Sequence, residues 1–132
     1  MACSPWVLVC KSIEACVRNE VIGWNQIIEQ PETPEFGISD GVITLVDSDR
    51  YVISGSIPVN SDCGLECSVN LQIGNTLIAI RTSTGGSRIL QFVHEYNKEN
   101  NDTEEVRFTF HAADEGSYTQ GGTLRIEKDY YE

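Results

Sequence analysis

Tyr51-Val52-Ile53-Ser54-Gly55-Ser56-Ile57-Pro58-Val59 is the stretch that decides the fold. Tyr51, Ile53, Ile57 and Val59 recur at every second position, while Val52, Ser54, Ser56 and Pro58 occupy the alternate ones. Successive side chains of an extended chain point to opposite faces, so this period of two marks a strand with one buried face. The pattern repeats downstream. Cys67, Val69, Leu71 and Ile73 alternate with Ser68, Asn70 and Gln72; Val106, Phe108, Phe110 and Ala112 alternate with Arg107, Thr109 and His111; Leu124 and Ile126 alternate with Thr123, Arg125 and Glu127. One apolar and one polar face per strand is the signature of antiparallel sheets that cover a core on one side.

Turn signals separate these runs: Ser39-Asp40-Gly41, Asp47-Ser48-Asp49, Gly74-Asn75, Gly85-Gly86, Asn97 to Asp102, and Gly121-Gly122. Gly74-Asn75 suits a two-residue hairpin because both residues tolerate positive φ. Pro31 and Pro34 make Glu29 to Glu35 an extended loop. Ser12 to Arg18 is the only stretch that reads as a short helix. Short strands at this spacing, without a long amphipathic helix, predict an all-β sandwich or barrel.

Composition bounds the rest. The 132 residues suffice for one domain with its own core. The net charge is -11, from 20 acidic and 9 basic residues, and the scattered Lys and Arg disfavour any grip on a phosphate backbone. No apolar run approaches the roughly 20 residues of a membrane-spanning helix. Met1 to Cys10 lacks a positive n-region, and Lys11 interrupts Trp6-Val7-Leu8-Val9, so no secretory signal is visible. The expected location is a virion or the cell interior if this N-terminus is native, and the extracellular space if an upstream segment was removed. Cys3, Cys10, Cys16, Cys63 and Cys67 are odd in number and unevenly spaced, unlike a dense disulfide framework. Free thiols are the default; a Cys63–Cys67 disulfide and a thiolate metal site are the alternatives.

Three further segments carry a resemblance. Trp24-Asn25-Gln26-Ile27-Ile28, then Gly41 to Leu45 running into Asp49 to Ile57, resembles the early strands of tumour-necrosis-factor-like and complement-C1q-like domains. Asp102-Thr-Glu-Glu-Val-Arg-Phe108 and Gly121-Gly-Thr-Leu-Arg-Ile126 are similar to the later strands of that superfamily. The match spans roughly residues 22–128. Its implication is an antiparallel jelly-roll sandwich of about eight to ten strands that assembles as a homotrimer, used by animal ligands and by viral and bacterial spike heads. Residues 1–20 are then an N-terminal extension or first strand, and residues 21–132 a single jelly-roll domain. Gly55-Ser56 departs from the Gly-X-Tyr more usual at that point.

Half of the carboxylates fall in two stretches, residues 29–49 and 99–105, that contain no Lys or Arg. A hard cation seeks several oxygen ligands, which makes Asp47, Asp49, Asn100 and Asp102 the candidate calcium set; a solvated acidic surface is the plainer reading, and otherwise no cofactor is expected. His94 and His111 lie inside strands, with no nucleophile elbow or metalloprotease motif around them. Asn101-Asp102-Thr103 is a formal glycosylation sequon. Candidate interface residues are Trp24, Val52, Ile78, Ile80, Tyr130 and Tyr131. The last two are polar-edged aromatics of the kind enriched at interfaces. Leu77-Ile78-Ala79-Ile80 reads as a strand buried on both faces, which a trimer contact would explain. The expected function is a non-catalytic trimeric recognition module that contacts a protein or glycan partner through loops 29–40, 60–66 and 97–104. The alternative is a structural protein of a virus particle, such as a spike head or decoration protein; an enzyme on a β-sandwich stands last.

Overall fold

The computed structural model describes residues 7–30, 36–46, 49–60, 67–81, 89–112 and 116–128. Within them run twelve strands: β1 (Val7–Lys11), β2 (Cys16–Val17), β3 (Gln26–Glu29), β4 (Phe36–Ser39), β5 (Val42–Leu45), β6 (Asp49–Asn60), β7 (Cys67–Ile73), β8 (Thr76–Arg81), β9 (Ile89–Lys98), β10 (Glu104–Ala112), β11 (Tyr118–Thr119) and β12 (Thr123–Lys128). They form two antiparallel sheets that enclose one core.

The decisive stretch is the spine of the first sheet. β6 pairs along one side with β9, from Asp49–Lys98 to Pro58–Ile89. Its other side pairs first with β12 and then with β11. β12 continues to β1 and β1 to β3, so β9 and β3 are the opposite edges. The second sheet runs β4-β5-β10-β7-β8. The Asp40-Gly41 hairpin joins β4 to β5 with both φ angles positive, at 51° and 80°, the geometry that matches the twist of paired strands.

Residues 12–18 are not a helix. Ser12 exchanges backbone bonds with the β11–β12 turn, its N–H donating to the Gly122 carbonyl at 2.9 Å and its carbonyl accepting from Gly121 at 2.7 Å. Cys16–Val17 then pairs with β11. A stretch this short forms a marginal helix by itself, and the ladder offered by β11 satisfies the same backbone groups. β1 sits between β12 and β3, so the N-terminal residues described are built into the sheet.

The chain then crosses between the sheets. Asn19 and Ile22 donate backbone bonds to Phe110 and Phe108, and Phe110 donates to Glu20, extending β10 on the side where β5 has ended. This crossing drops Ile22 and Trp24 into the core. Trp24 meets Phe108 edge-on at 5.5 Å between ring centroids, and Phe108 meets Phe92 at 5.4 Å. Gly55 lies opposite Phe92, and an added Cβ there would meet the Thr123 carbonyl at 2.5 Å and the Phe92 ring at 2.8 Å. Glycine at position 55 therefore makes room for an aromatic ring over the sheet.

Inward positions follow the period-two reading: Tyr51, Ile53, Ile57, Val69, Leu71, Ile73, Val106, Phe108, Phe110, Leu124 and Ile126 are all buried. Replacing Phe108 by Ala removes the ring that both Trp24 and Phe92 rest on, at an expected cost of about 3–5 kcal/mol. Gly55→Ala forces Phe92 or the β12 backbone to move, at about 1–3 kcal/mol. Chemical denaturation with an unchanged slope checks both, and wild-type midpoints would refute this account of the core.

Candidate functional site

Among the described residues, side chains gather outside the core at the end of the sandwich where β9 turns into β10 and on the flank of the first sheet. At the end, β9 finishes on Lys98, a buried lysine whose ammonium donates to the Asn100 carbonyl at 2.5 Å and lies 3.4 Å from Asn100 Oδ1. The same Oδ1 accepts the Asp102 N–H at 3.0 Å, a local turn that fixes the loop. Asp49 pairs with Lys98 across β6 and β9, and its carboxylate accepts the Arg50 N–H at 2.7 Å. Tyr96 donates its phenol proton to Glu104 Oε2, and the other Glu104 oxygen lies beside Gly74 in the β7–β8 turn. An open polar cavity of about 380 Å³, lined in part by Asn75, Asn100, Asp102 and Glu105, lies between these groups.

Three members of the proposed calcium set, Asp49, Asn100 and Asp102, thus come to one end of the sandwich, and Asp47 lies outside the described residues. Lys98 already supplies positive charge to the Asn100 oxygens. Among the described residues no group of three or more His, Cys, Asp or Glu is placed to hold a metal ion. Cys63 lies outside the described residues, as do Tyr130 and Tyr131. His94 and His111 are half-buried strand residues, opposite Ile53 and Ser68.

The flank is apolar. Val93 is 74% exposed and Ile89 48% exposed on the edge strand β9, and Leu77 is 63% exposed on β8, the edge of the other sheet that approaches β9. Ile78 and Ile80 pack against the core from that same strand while Leu77 and Ala79 face away. Within one chain, therefore, β8 is buried on one face only, and the expectation of two buried faces is corrected. Val52 is half-buried and outward, between Glu95 and Glu127. Trp24 is corrected outright: it is 1% exposed, sealed by Phe108 and the Gly122 backbone, and presents no surface to a partner. At the far edge of the first sheet, Ile27 and Ile28 on β3 are also exposed. The sequence reading missed Ile27, Ile28, Ile89 and Val93. Their signal was apolar residues at strand positions beyond those the core needs.

Across β9, β6 and β12 the outer face holds a hollow of about 500 Å³, lined among others by Ser54, Ser56, Gln91, Val93, Thr123 and Arg125. Small side chains on the central strand make the depression, and Val93 and Arg125 stand on either side of Ser54 in register.

With this geometry in place, the comparisons with known proteins are informative. No family model and no curated protein matches the sequence. Solved structures do. The globular domain of zebrafish complement 1qA protein superposes with a TM-score of 0.69 at 11% identity, covering 98% of this chain and all of that one. Murine APRIL at pH 5.0 gives 0.69 at 13% identity over 96% of this chain. PRD1 vertex protein P5 gives 0.62 at 11% identity over 98%. The chain has the jelly-roll fold of tumour-necrosis-factor-like and complement-C1q-like domains, as its strand segments implied. That fold is shared by animal proteins and by a phage vertex protein.

The ionisable groups of the core set an alkaline limit. Burial pushes the Cys10 thiol up to about 11, and burial together with the charge of Glu20 does the same for Cys16. Tyr96 is raised as well, by burial first and then by its bond to the Glu104 carboxylate. In the unfolded chain these thiols ionise near their ordinary value of 9.0. Their protonated state is thus retained longest in the folded protein, and the associated stability is complete below pH 9 and lost as pH rises through about 11. The melting temperature is expected to fall across that window, and alkylation at pH 8 should leave Cys10 and Cys16 unlabelled until denaturant is added. Native labelling of either thiol at the rate of a free cysteine would contradict their burial.

Proposed function

We propose that the chain is a non-catalytic jelly-roll module that works as a homotrimer and binds a protein or glycan partner through its loops. The observation that supports this reading is apolar surface at both edges of the first sheet: Ile89 and Val93 on β9, Ile27 and Ile28 on β3. Exposed aliphatic side chains grouped on one surface mark interaction sites. Two different patches on opposite edges favour a head-to-tail contact, which closes into a ring when the rotation between copies allows. The jelly-roll likeness to complement 1qA and APRIL supports the same reading at the level of the fold. Partner contacts then fall to the polar ends, where residues 36–40 and 97–104 of the proposed loops are described.

A second reading, a structural protein of a virus particle, is favoured by the likeness to PRD1 vertex protein P5 over nearly the whole chain. Both readings use the same assembly. They differ in whether the trimer is found in purified particles of its source or retains a soluble ligand.

Sedimentation equilibrium tests the shared part. The expected mass is that of three chains of 14.7 kDa, and Ile89→Asp or Val93→Asp should shift the protein to one chain while leaving its circular dichroism unchanged. A wild-type monomer at micromolar concentration would sink the reading.

A further inference from the structure

We infer that the small hollow at the corner where β6 meets β11, lined by Pro58, Val59, Asn60, Tyr118 and Gln120, binds a single neutral sugar ring of a glycan. The inference rests on the reading of the chain as a non-catalytic binding module, and of the two partner classes named there it selects the glycan.

The hollow exists because β6 changes partners at this corner. Ser56 is in register with Thr123 of β12, whereas Val59 and Asn60 are in register with Thr119 and Tyr118 of β11. Between the two pairings the chain at 120–122 turns away from β6, with Gly121 at a φ of 79° and with the Gly121 N–H and the Gly122 carbonyl bonded to the backbone of Ser12. Val59 and Thr119 are buried, so their neighbours Pro58, Asn60, Tyr118 and Gln120 stand on the opposite, outer side of the pleat. The space left among them is about 200 Å³. Clefts for drug-sized ligands run from roughly 300 to 1,000 Å³, so this one suits one ring.

Its polar groups are held in place with bonding capacity left over. Asn60 Nδ2 donates to Tyr118 Oη at 2.8 Å. The phenol oxygen is already an acceptor, and its own proton is left for a ligand. Gln120 Nε2 donates to the Ile13 carbonyl at 3.0 Å, which fixes that side chain and leaves its second amide hydrogen and its carbonyl oxygen. Asn60 keeps the same two groups. Neighbouring hydroxyls on a sugar each donate and accept, and an amide presents a donor and an acceptor side by side. The apolar part of the lining is the Pro58 ring and the Tyr118 ring. The face of an aromatic ring is electron-rich and attracts the weakly positive hydrogens on sugar carbons.

Charge narrows the ligand further. The lining holds no Asp, Glu, Lys, Arg or His, in contrast to the hollow at the β9–β10 end and to the one that Arg125 borders. An ionic ligand would find no counter-charge among these groups, so the occupant is neutral. A peptide that adds to a sheet needs a run of open strand edge. β2, which closes the sheet on this side, is two residues long, too short to guide one.

Heteronuclear NMR titration with glucose, galactose, mannose, fucose and N-acetylglucosamine tests the site. At least one sugar is expected to bind saturably and to shift the amide signals of Asn60, Tyr118 and Gln120 first. Tyr118→Ala should abolish that binding. Asn60→Ala and Gln120→Ala should each weaken it about tenfold, the effect of removing one hydrogen bond to a ligand group that is then left unsatisfied. Circular dichroism and melting establish that the variants fold; Asn60 and Gln120 are exposed, so their variants carry the test if Tyr118→Ala does not fold. No saturable shift with any of these sugars overturns the inference and leaves the module to a protein partner. Sugar binding that wild type and all three variants share strikes this hollow while the glycan reading stands. Shifts at the same signals from an uncharged blocked tetrapeptide but from no sugar, or stronger binding of sialic acid than of the neutral sugars, overturn the assigned ligand class. The number of chains in the assembly enters none of these outcomes, so a failure of the trimer and a failure of this site are told apart.

Discussion

The ring of Phe108 is the contact on which the two sheets depend. It reaches across from β10 and is gripped by Trp24 on one side and by Phe92 on the other. Trp24 reaches this place because residues 19–22 leave the first sheet and pair with β10 in the second, and Phe92 reaches it because position 55 has no side chain. Each feature looks local in sequence, yet each exists to let one ring be enclosed. The indole N–H of Trp24 finds no partner among the described residues, so the tryptophan is held by packing alone. A buried, unpaired donor costs about 1–3 kcal/mol, which the burial of the indole surface offsets.

That interior settles what the exterior can do. With the core closed between the sheets, the exposed aliphatic residues among those described are Leu77 on β8, Ile89 and Val93 on β9, Ile27 and Ile28 on β3, and Ile13, Val17 and Val21 in the stretch between β1 and β3. Edge strands with exposed aliphatic side chains invite association, and natural proteins shield them with charge, bulges or a partner. β3 has a bulge and a glutamate, whereas β9 alternates Ile89, Gln91, Val93, Glu95 and Asn97 outward with a single charge among them. Arg50 pairs with that Glu95 at 2.6 Å and so removes even this guard. β9 is therefore the less protected of the two edges, and it borders the hollow.

Much of the fold was legible because alternation is a direct consequence of strand geometry: the inward residues of β6, β7, β10 and β12 could be read from the sequence one by one. The helix expected at 12–18 could not be corrected from sequence, since only the proximity of β11 and the β11–β12 turn decides where those backbone groups bond. Trp24 was ambiguous for a related reason. An aromatic residue before an edge strand serves either an interface or a core, and the choice depends on the crossing of residues 19–22. Leu77 to Ile80 read as buried on both faces because apolar composition does not distinguish a face covered by the same chain from a face left open.

The same distinction sharpens the meaning of the charge. A net -11 per chain would oppose three copies if all of it faced the contact, since like charges repel within about 8–10 Å at ordinary salt. Part of it is committed elsewhere. Glu104 is tied to Tyr96, Asp49 to the Arg50 backbone, and Asn100 and Asp102 form a turn closed by Lys98, all at one end of the sandwich. The flanks carry mixed or neutral side chains instead. Copies of one acidic chain repel one another, so the acidity that argues against nucleic acid also sets a condition on any self-association: these ends have to be kept apart.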